Sequence, residues 1–154
     1  MPVNRVTLAA QALHHSRGGA LLRRVPTWRG ILVLNYHRIG DARQAPYFRD
    51  VFSATSSEFD RQLAFLALNA DVIGGDDLPL ALAARRGRHV LITFDDGYRD
   101  NYELAFALLR RHGLSAVFFL CTGFLDGYGP AWWDEIAWII RTSPRREIAL
   151  PQWL

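Results

Sequence analysis

The stretch Val90-Leu91-Ile92-Thr93-Phe94 runs without a break into Asp95-Asp96-Gly97, and no other feature of the chain limits its fold as much. A run of β-branched and aromatic residues without polar alternation suits a strand covered on both faces, as in a parallel sheet. Parallel neighbours cannot be joined by a tight turn and need a crossover, usually a helix. The chain supplies both parts. Ile31-Leu32-Val33-Leu34 reads as a fully buried strand leading to Asn35-Tyr36-His37. Asp71-Val72-Ile73 reads as a short strand stopped by Gly74-Gly75, and Ala116-Val117-Phe118-Phe119-Leu120 as another buried strand.

Helical signals lie between these strands. Thr55-Ser56-Ser57-Glu58 has the S/T-x-x-E form of a capping box, and Phe59, Leu63, Phe65, Leu66 and Leu68 follow as an apolar face ending near Asn69. Leu78 to Arg86 reads as a short helix with Asp76 or Asp77 as its N-cap. Asn101 to His112 carries Leu104, Leu108 and Leu109 along one side, with Gly113 as its stop. Trp132 to Arg141 forms a last helix after a Gly-rich loop from Gly123 to Pro130. The end from Thr142 to Leu154 reads as irregular or a short hairpin. A polar and aromatic loop fills Gly40 to about Ala54. Ahead of all this, Val6 to Arg24 has apolar residues at mixed helical spacing, broken by Gly18-Gly19 and ended by Pro26. Residues 1–29 are therefore expected to form an N-terminal helical segment.

Strands and helices alternate four times, which is the pattern of an α/β fold with parallel strands. Right-handed crossovers place the C-terminal ends of the strands on one rim, and active sites of barrels and open sheets sit there. A closed barrel takes about 250 residues, so four units read as part of one.

Charge narrows the partners. All 18 basic residues are arginine, against 15 acidic ones, for a net charge of +3. The pairs Arg23-Arg24, Arg85-Arg86, Arg110-Arg111 and Arg145-Arg146 are spread along the chain, whereas a nucleic-acid binder gathers its charge in one stripe. No nucleic-acid partner is expected. The single Cys121 excludes an internal disulfide and a C-x-x-C zinc motif, and reads as a small buried hydrophobe on a strand. No apolar run approaches the roughly 20 residues that span a bilayer. His14, His15, Ser16 and Arg17 interrupt any signal-peptide stretch, and a cytoplasmic location is expected.

Chemistry should reside at Asp95-Asp96-Gly97. Adjacent carboxylates repel, and keeping both at a strand end is costly unless a cation or proton relay compensates. Glycine lets the backbone turn sharply beside a ligand. Asp and Gly also serve plain turns, so the context has to decide. A phosphatase-type D-x-D needs acids two apart, and a calcium loop needs three alternating acids. The further acid Asp100 reads as a cap for the helix that follows.

The stretch Leu91-Ile92-Thr93-Phe94-Asp95-Asp96-Gly97-Tyr98-Arg99-Asp100-Asn101-Tyr102 closely resembles the first motif of the polysaccharide deacetylase (NodB-homology) family. Leu34-Asn35-Tyr36-His37-Arg38-Ile39 resembles the family's opening strand and Phe118-Phe119-Leu120 the strand after the motif. Trp132-Trp133-Asp134-Glu135 is similar to a helical insertion of one branch. The resemblance implies a partial (β/α) barrel of the polysaccharide deacetylase type over residues 30–154. It also implies metal-dependent hydrolysis of N-acetyl (or O-acetyl) groups on a carbohydrate polymer. By that resemblance Asp95 is the general base and Asp96 a ligand of a divalent, zinc-like ion. A metal-bound carboxylate beside a free one suits that division, because the cation acidifies water and the free carboxylate accepts its proton.

Catalytic zinc normally takes three protein ligands. In the family the other two are histidines of an H-[ST]-x-x-H motif, which is absent from this sequence. His89 begins the strand that ends at the acids, roughly 20 Å away, and His112 ends the returning helix on that same far rim. His14 and His15 are helical neighbours that cannot face one ion together. His37 ends a strand on the correct rim and is the remaining metal candidate, with a backbone-bonded turn histidine as the alternative. The expectation is the N-terminal part of a deacetylase, weak or inactive by itself, which leaves room for association with a missing C-terminal half. Trp132, Trp133 and Trp138, with Tyr128 nearby, could stack on sugar, but their helical spacing suits packing better, with Trp138 and Ile139 against the sheet. A non-catalytic carbohydrate-binding or interaction module is the competing function. In the blandest case the chain needs the rest of its domain to fold, with a sheet edge and an apolar face uncovered.

Overall fold

The computed structural model describes residues 30–84, 87–127 and 129–147. The helical segment expected over 1–29 and the irregular end after residue 147 lie outside the described residues, as do His14, His15 and Tyr128. The strands are β1 (Leu32–Tyr36), β2 (Arg38–Ile39), β3 (Phe52–Ala54), β4 (Asp71–Ile73), β5 (His89–Phe94) and β6 (Val117–Phe118). The helices are α1 (Ser56–Asn69), α2 (Leu78–Ala84), α3 (Ala107–His112, preceded by a π-helical stretch Asn101–Phe106), α4 (Thr122–Leu125) and α5 (Trp132–Thr142).

The apolar run around Leu91 forms the middle of a parallel sheet. β1 pairs with β5 along its length, from Leu32 opposite Val90 to Tyr36 opposite Phe94. On the other edge of β5, β4 takes the N-terminal half and β6 the C-terminal half. Val90 to Phe94 are all buried, because both faces of β5 are covered. Val90, Ile92 and Phe94 pack with Phe59, Leu63 and Leu66 of α1 and with Ala105 and Leu109. Leu91 faces the opposite way and meets Ile73 and Ala81. A strand so placed has to be apolar at every position, which accounts for the missing alternation.

Local signals act as their chemistry dictates. Thr55 Oγ1 accepts from the Glu58 amide at 3.3 Å while the Glu58 carboxylate accepts from the Thr55 amide at 2.8 Å, closing the capping box of α1. Gly113 ends α3 at φ 65°, ψ 30°, the left-handed geometry that glycine adopts without Cβ strain.

Several expectations change. Leu32 and Val33 are 48% and 52% exposed, because β1 has no described strand on its outer edge. Phe65 and Leu68 face solvent, so α1 is buried through Phe59, Leu63 and Leu66 only. The Gly40–Ala54 loop carries a 3-10 turn at Ala42–Gln44, and its ends form a small parallel sheet of β2 and β3. The expected helix from Asn101 starts with π winding, which brings Asn101 and Ala105 under cover in place of Leu104. Strand Ala116–Leu120 shortens to β6, and α4 replaces the start of the expected Gly-rich loop. Cys121 precedes α4 and is exposed, not buried.

Three outcomes follow. Phe94→Ala, in the aromatic core, is expected to lower unfolding free energy by about 3–5 kcal/mol in urea titrations, and Leu68→Ala to stay within about 0.5 kcal/mol. Asp60 on α1 is bonded to His112 at 2.6 Å and paired with Arg111. These partners, His112 first, hold its carboxyl below the usual carboxylate range. Its contribution is thus fully present above the unfolded value near pH 4 and is lost as pH falls through the lowered folded value. Asp60→Asn should flatten that acid limb of a Tm-versus-pH curve.

Candidate active site

The register of β1 on β5 builds the site's floor. Asn35 lies opposite Thr93 and Tyr36 opposite Phe94. The Asp95 amide donates to the Tyr36 carbonyl at 2.9 Å, continuing the ladder past the strand end. Buried Thr93 donates through Oγ1 to Asn35 Oδ1 at 3.0 Å, and Asn35 Nδ2 donates to Asp95 Oδ2 at 2.9 Å. With its oxygen occupied by a hydroxyl, the Asn35 amide presents its N–H₂ end to the carboxylate. His37, one residue beyond β1, brings Nε2 to 3.9 Å from the same Asp95 oxygen.

Asp96 and Gly97 both adopt left-handed backbone, φ 70° and 72°. Asp tolerates this region better than most residues, but still at some strain. The turn places Asp96 in the wall of a cavity of about 750 Å³ that it shares with His37, Phe48, Trp132, Trp133 and Ile136. Burial raises the Asp96 carboxyl above its ordinary value, His37 opposes the rise, and the charges of Asp95 and Asp134 add to it. Two features favour glycine at position 97. Its φ is positive, and a Cβ there would lie 2.9 Å from Leu120 Cδ2.

α5 supplies the far wall. Trp133 Nε1 donates to the Tyr98 hydroxyl at 2.8 Å, and buried Asp134 accepts from the Phe48 amide at 3.0 Å. Burial pushes the Tyr98 hydroxyl up to about 12, with Trp133's donated bond opposing. Trp132, Trp138 and Ile139 are exposed, so the expected packing of Trp138 and Ile139 on the sheet does not occur. α5 turns Trp132, Trp133, Ile136 and Ile140 to the cavity instead.

The segment after the acids reaches back to the residues around His37. Asp100 makes no side-chain cap for the following helix, contrary to expectation. Its carboxylate accepts from the Ile39 amide at 2.9 Å and from Arg38 Nε at 2.8 Å. The Arg38 guanidinium lies between the rings of Phe52 and Tyr98, 4.5 and 4.6 Å from their centres. Asn101 Nδ2 donates to the His37 carbonyl at 2.6 Å.

The structure thus gathers Asp95, Asp96 and His37 on one rim. His89 is bonded to Asp71 where β4 and β5 begin, at the other end of the sheet, and His112 to Asp60. Asp96 and His37 offer an oxygen and a nitrogen donor of kinds that zinc accepts. Among the described residues no group of three or more His, Cys, Asp or Glu is arranged to hold a metal ion. Asp96 and His37 are two donors, one fewer than a catalytic zinc usually takes. Asn35, Asp134, Asp100 and Asn101 were not legible as site residues, although Asn35 carries a signal as a polar residue at the end of an apolar strand. Trp133 was weighed only for stacking on sugar.

A parallel α/β sheet with its loops gathered at the C-terminal rim is the architecture of part of a (β/α) barrel. The family model described as polysaccharide deacetylase matches residues 83–142. A stretch of 31 residues is 55% identical to YxkH of Bacillus subtilis (strain 168), which is named as a polysaccharide deacetylase; it covers 20% of this chain and 11% of that protein. The fold is shared with a de-N-acetylase from Aggregatibacter actinomycetemcomitans, with TM-score 0.51 and 21% identity over 63% of this chain and 39% of that one. It is shared also with a Bacillus anthracis protein described as a polysaccharide deacetylase, with TM-score 0.50 and 23% identity over 64% of this chain and 32% of that one. The match to the polysaccharide deacetylase family model is thus confined to residues 83–142, and the chain spans well under half the length of these relatives. Members of the family are in general metal-dependent.

Gly97→Ala is expected to cost about 1–3 kcal/mol of stability, from left-handed strain and the Leu120 contact together. Urea unfolding measures it, with Gly127→Ala, which meets nothing within 4 Å, separating the contact from the strain.

Proposed function

We propose that this chain carries the acid half of a hydrolase that removes acetyl groups, on nitrogen or oxygen, from a carbohydrate polymer. The observation that carries the reading is the different treatment of two adjacent carboxylates. Asp95 has one oxygen tied to Asn35, whereas Asp96 shares a partly apolar cavity with His37. In this reading Asp95 is the general base. With Oδ2 held by Asn35, Oδ1 accepts the proton of the attacking water. The water oxygen adds to the acyl carbon, the bond to the sugar nitrogen or oxygen breaks, and the proton passes to that leaving atom, giving acetate and a free amine or hydroxyl.

Asp96 and His37 would hold a divalent ion, by class zinc, whose chemistry when bound is an acidified water and a polarised acyl oxygen. Further donors would come from outside the described residues. A substrate seated against the apolar wall of α5 would displace water from around its acyl group, which would strengthen charge interactions there. A binding module without catalysis is the second reading, favoured by Trp132, 67% exposed at the same cavity.

Acetate release from an acetylated chitooligosaccharide with added zinc tests the reading. The expected rate is low, because two donors hold zinc weakly, and Asp95→Asn should abolish what there is. Turnover that survives Asp95→Asn overturns the base assignment. Zinc-independent saccharide binding with no acetate released would favour the binding module.

A further inference from the structure

We propose that Asp100 and Asn101 are positioning residues for the reaction, acting through His37. The inference rests on the proposed function insofar as His37 belongs to the reacting site. Three hydrogen bonds run from these two residues to three consecutive residues after β1. Asn101 Nδ2 holds the His37 carbonyl at 2.6 Å, Asp100 Oδ2 holds Arg38 Nε at 2.8 Å, and Asp100 Oδ1 holds the Ile39 amide at 2.9 Å. On the other side of His37 its amide donates to Ser53 Oγ at 3.0 Å. The His37 backbone is therefore pinned at both its N–H and its C=O, with the ring reaching to 3.9 Å from Asp95.

Stability alone is a poor reason for this arrangement. Asp100 and Asn101 are both buried. A largely buried ion pair such as Arg38–Asp100 contributes little net stability once desolvation is counted, and its best-attested use is to fix register. Asn101 also leaves its Oδ1 buried with no hydrogen-bond partner among the described residues, a cost that an apolar residue would avoid. The π winding begins at Asn101, directly after Asp100, and both side chains bond to the His37–Ile39 segment instead of capping the helix start. Such winding is frequent where a helix meets a functional site. The run from Asp95 to Asn101 thus works at both ends: its first two residues present the acids, and its last two hold the histidine that faces them.

The test uses the full chain, isotopically labelled, and reads the imidazole Cε1–Hε1 signals by NMR at one pH without added metal. His37→Ala assigns the His37 peak, and His89 and His112 serve as internal references. Asn101→Ala and the milder Asp100→Asn are each expected to shift or broaden the His37 peak while the reference peaks stay in place. Where acetate release is measurable, each should lower kcat about tenfold with little change in KM, as misplacement of a reacting group does. That loss should vanish in a His37→Ala background, the mark of two residues acting through one another. An unmoved His37 peak in both variants overturns the proposal. So does a collapse of all three histidine signals in both, which would make the pair purely structural. If the His37 peak moves alone but His37→Ala leaves acetate release unchanged, the clamp on His37 stands, while the catalytic part of this proposal and the role given to His37 in the proposed function both fall.

Discussion

Tyr36, Phe94 and Phe118 lie in register across β1, β5 and β6, with ring centres 5.4 and 5.0 Å apart and near-parallel planes. Phe59 of α1 closes against the first two edge-on, at 5.1 and 5.7 Å. The acids begin one residue above this stack. Large rings held in dense packing have few alternative arrangements, so the strand ends that carry Asn35, His37 and Asp95 are fixed relative to one another from below. The geometry of the rim depends on that aromatic layer more than on any contact among the polar groups themselves.

Above the layer the chain accepts local costs. Asp96 sits in left-handed backbone, its carboxyl is raised by burial, and Asn101 keeps an unpaired buried oxygen. Strain and unsatisfied groups persist only where surrounding structure over-determines them, and they concentrate at sites of function. Here they fall on residues within a single turn of sequence, bounded by a stacked core on one side and by α5 on the other. The cavity between has an aromatic and aliphatic wall facing Asp96 and His37.

The strands, the capping box of α1 and the stop of α3 were legible because each depends on residues near in sequence. Asp95, Asp96 and His37 were legible as candidates because a strand end fixes the rim on which its next residue lies. Misreadings share a cause. Leu32, Val33, Phe65 and Leu68 are apolar in the pattern but exposed, since periodicity shows which residues share a face and not whether anything covers it. Asp100 has the position of a cap and the role of a tie to β2, because a better donor set, the Ile39 amide and Arg38, lies 61 and 62 residues away in the chain. Trp138 and Ile139 looked like a packing pair because helical spacing does not say which side of α5 meets the sheet.

What the amino-acid order determined by itself was the alternation of strand and helix and the delivery of two neighbouring carboxylates to the end of a strand, both consequences of short-range sterics and apolar patterning. Only the tertiary structure decided that those carboxylates have different surroundings. Asn35 reaches Asp95 because β1 pairs with β5 in one register, and Asp96 meets His37 and α5 because a left-handed turn directs it into their cavity. Those contacts join residues 36 to 60 positions apart, and their distances follow from packing, which no local signal encodes.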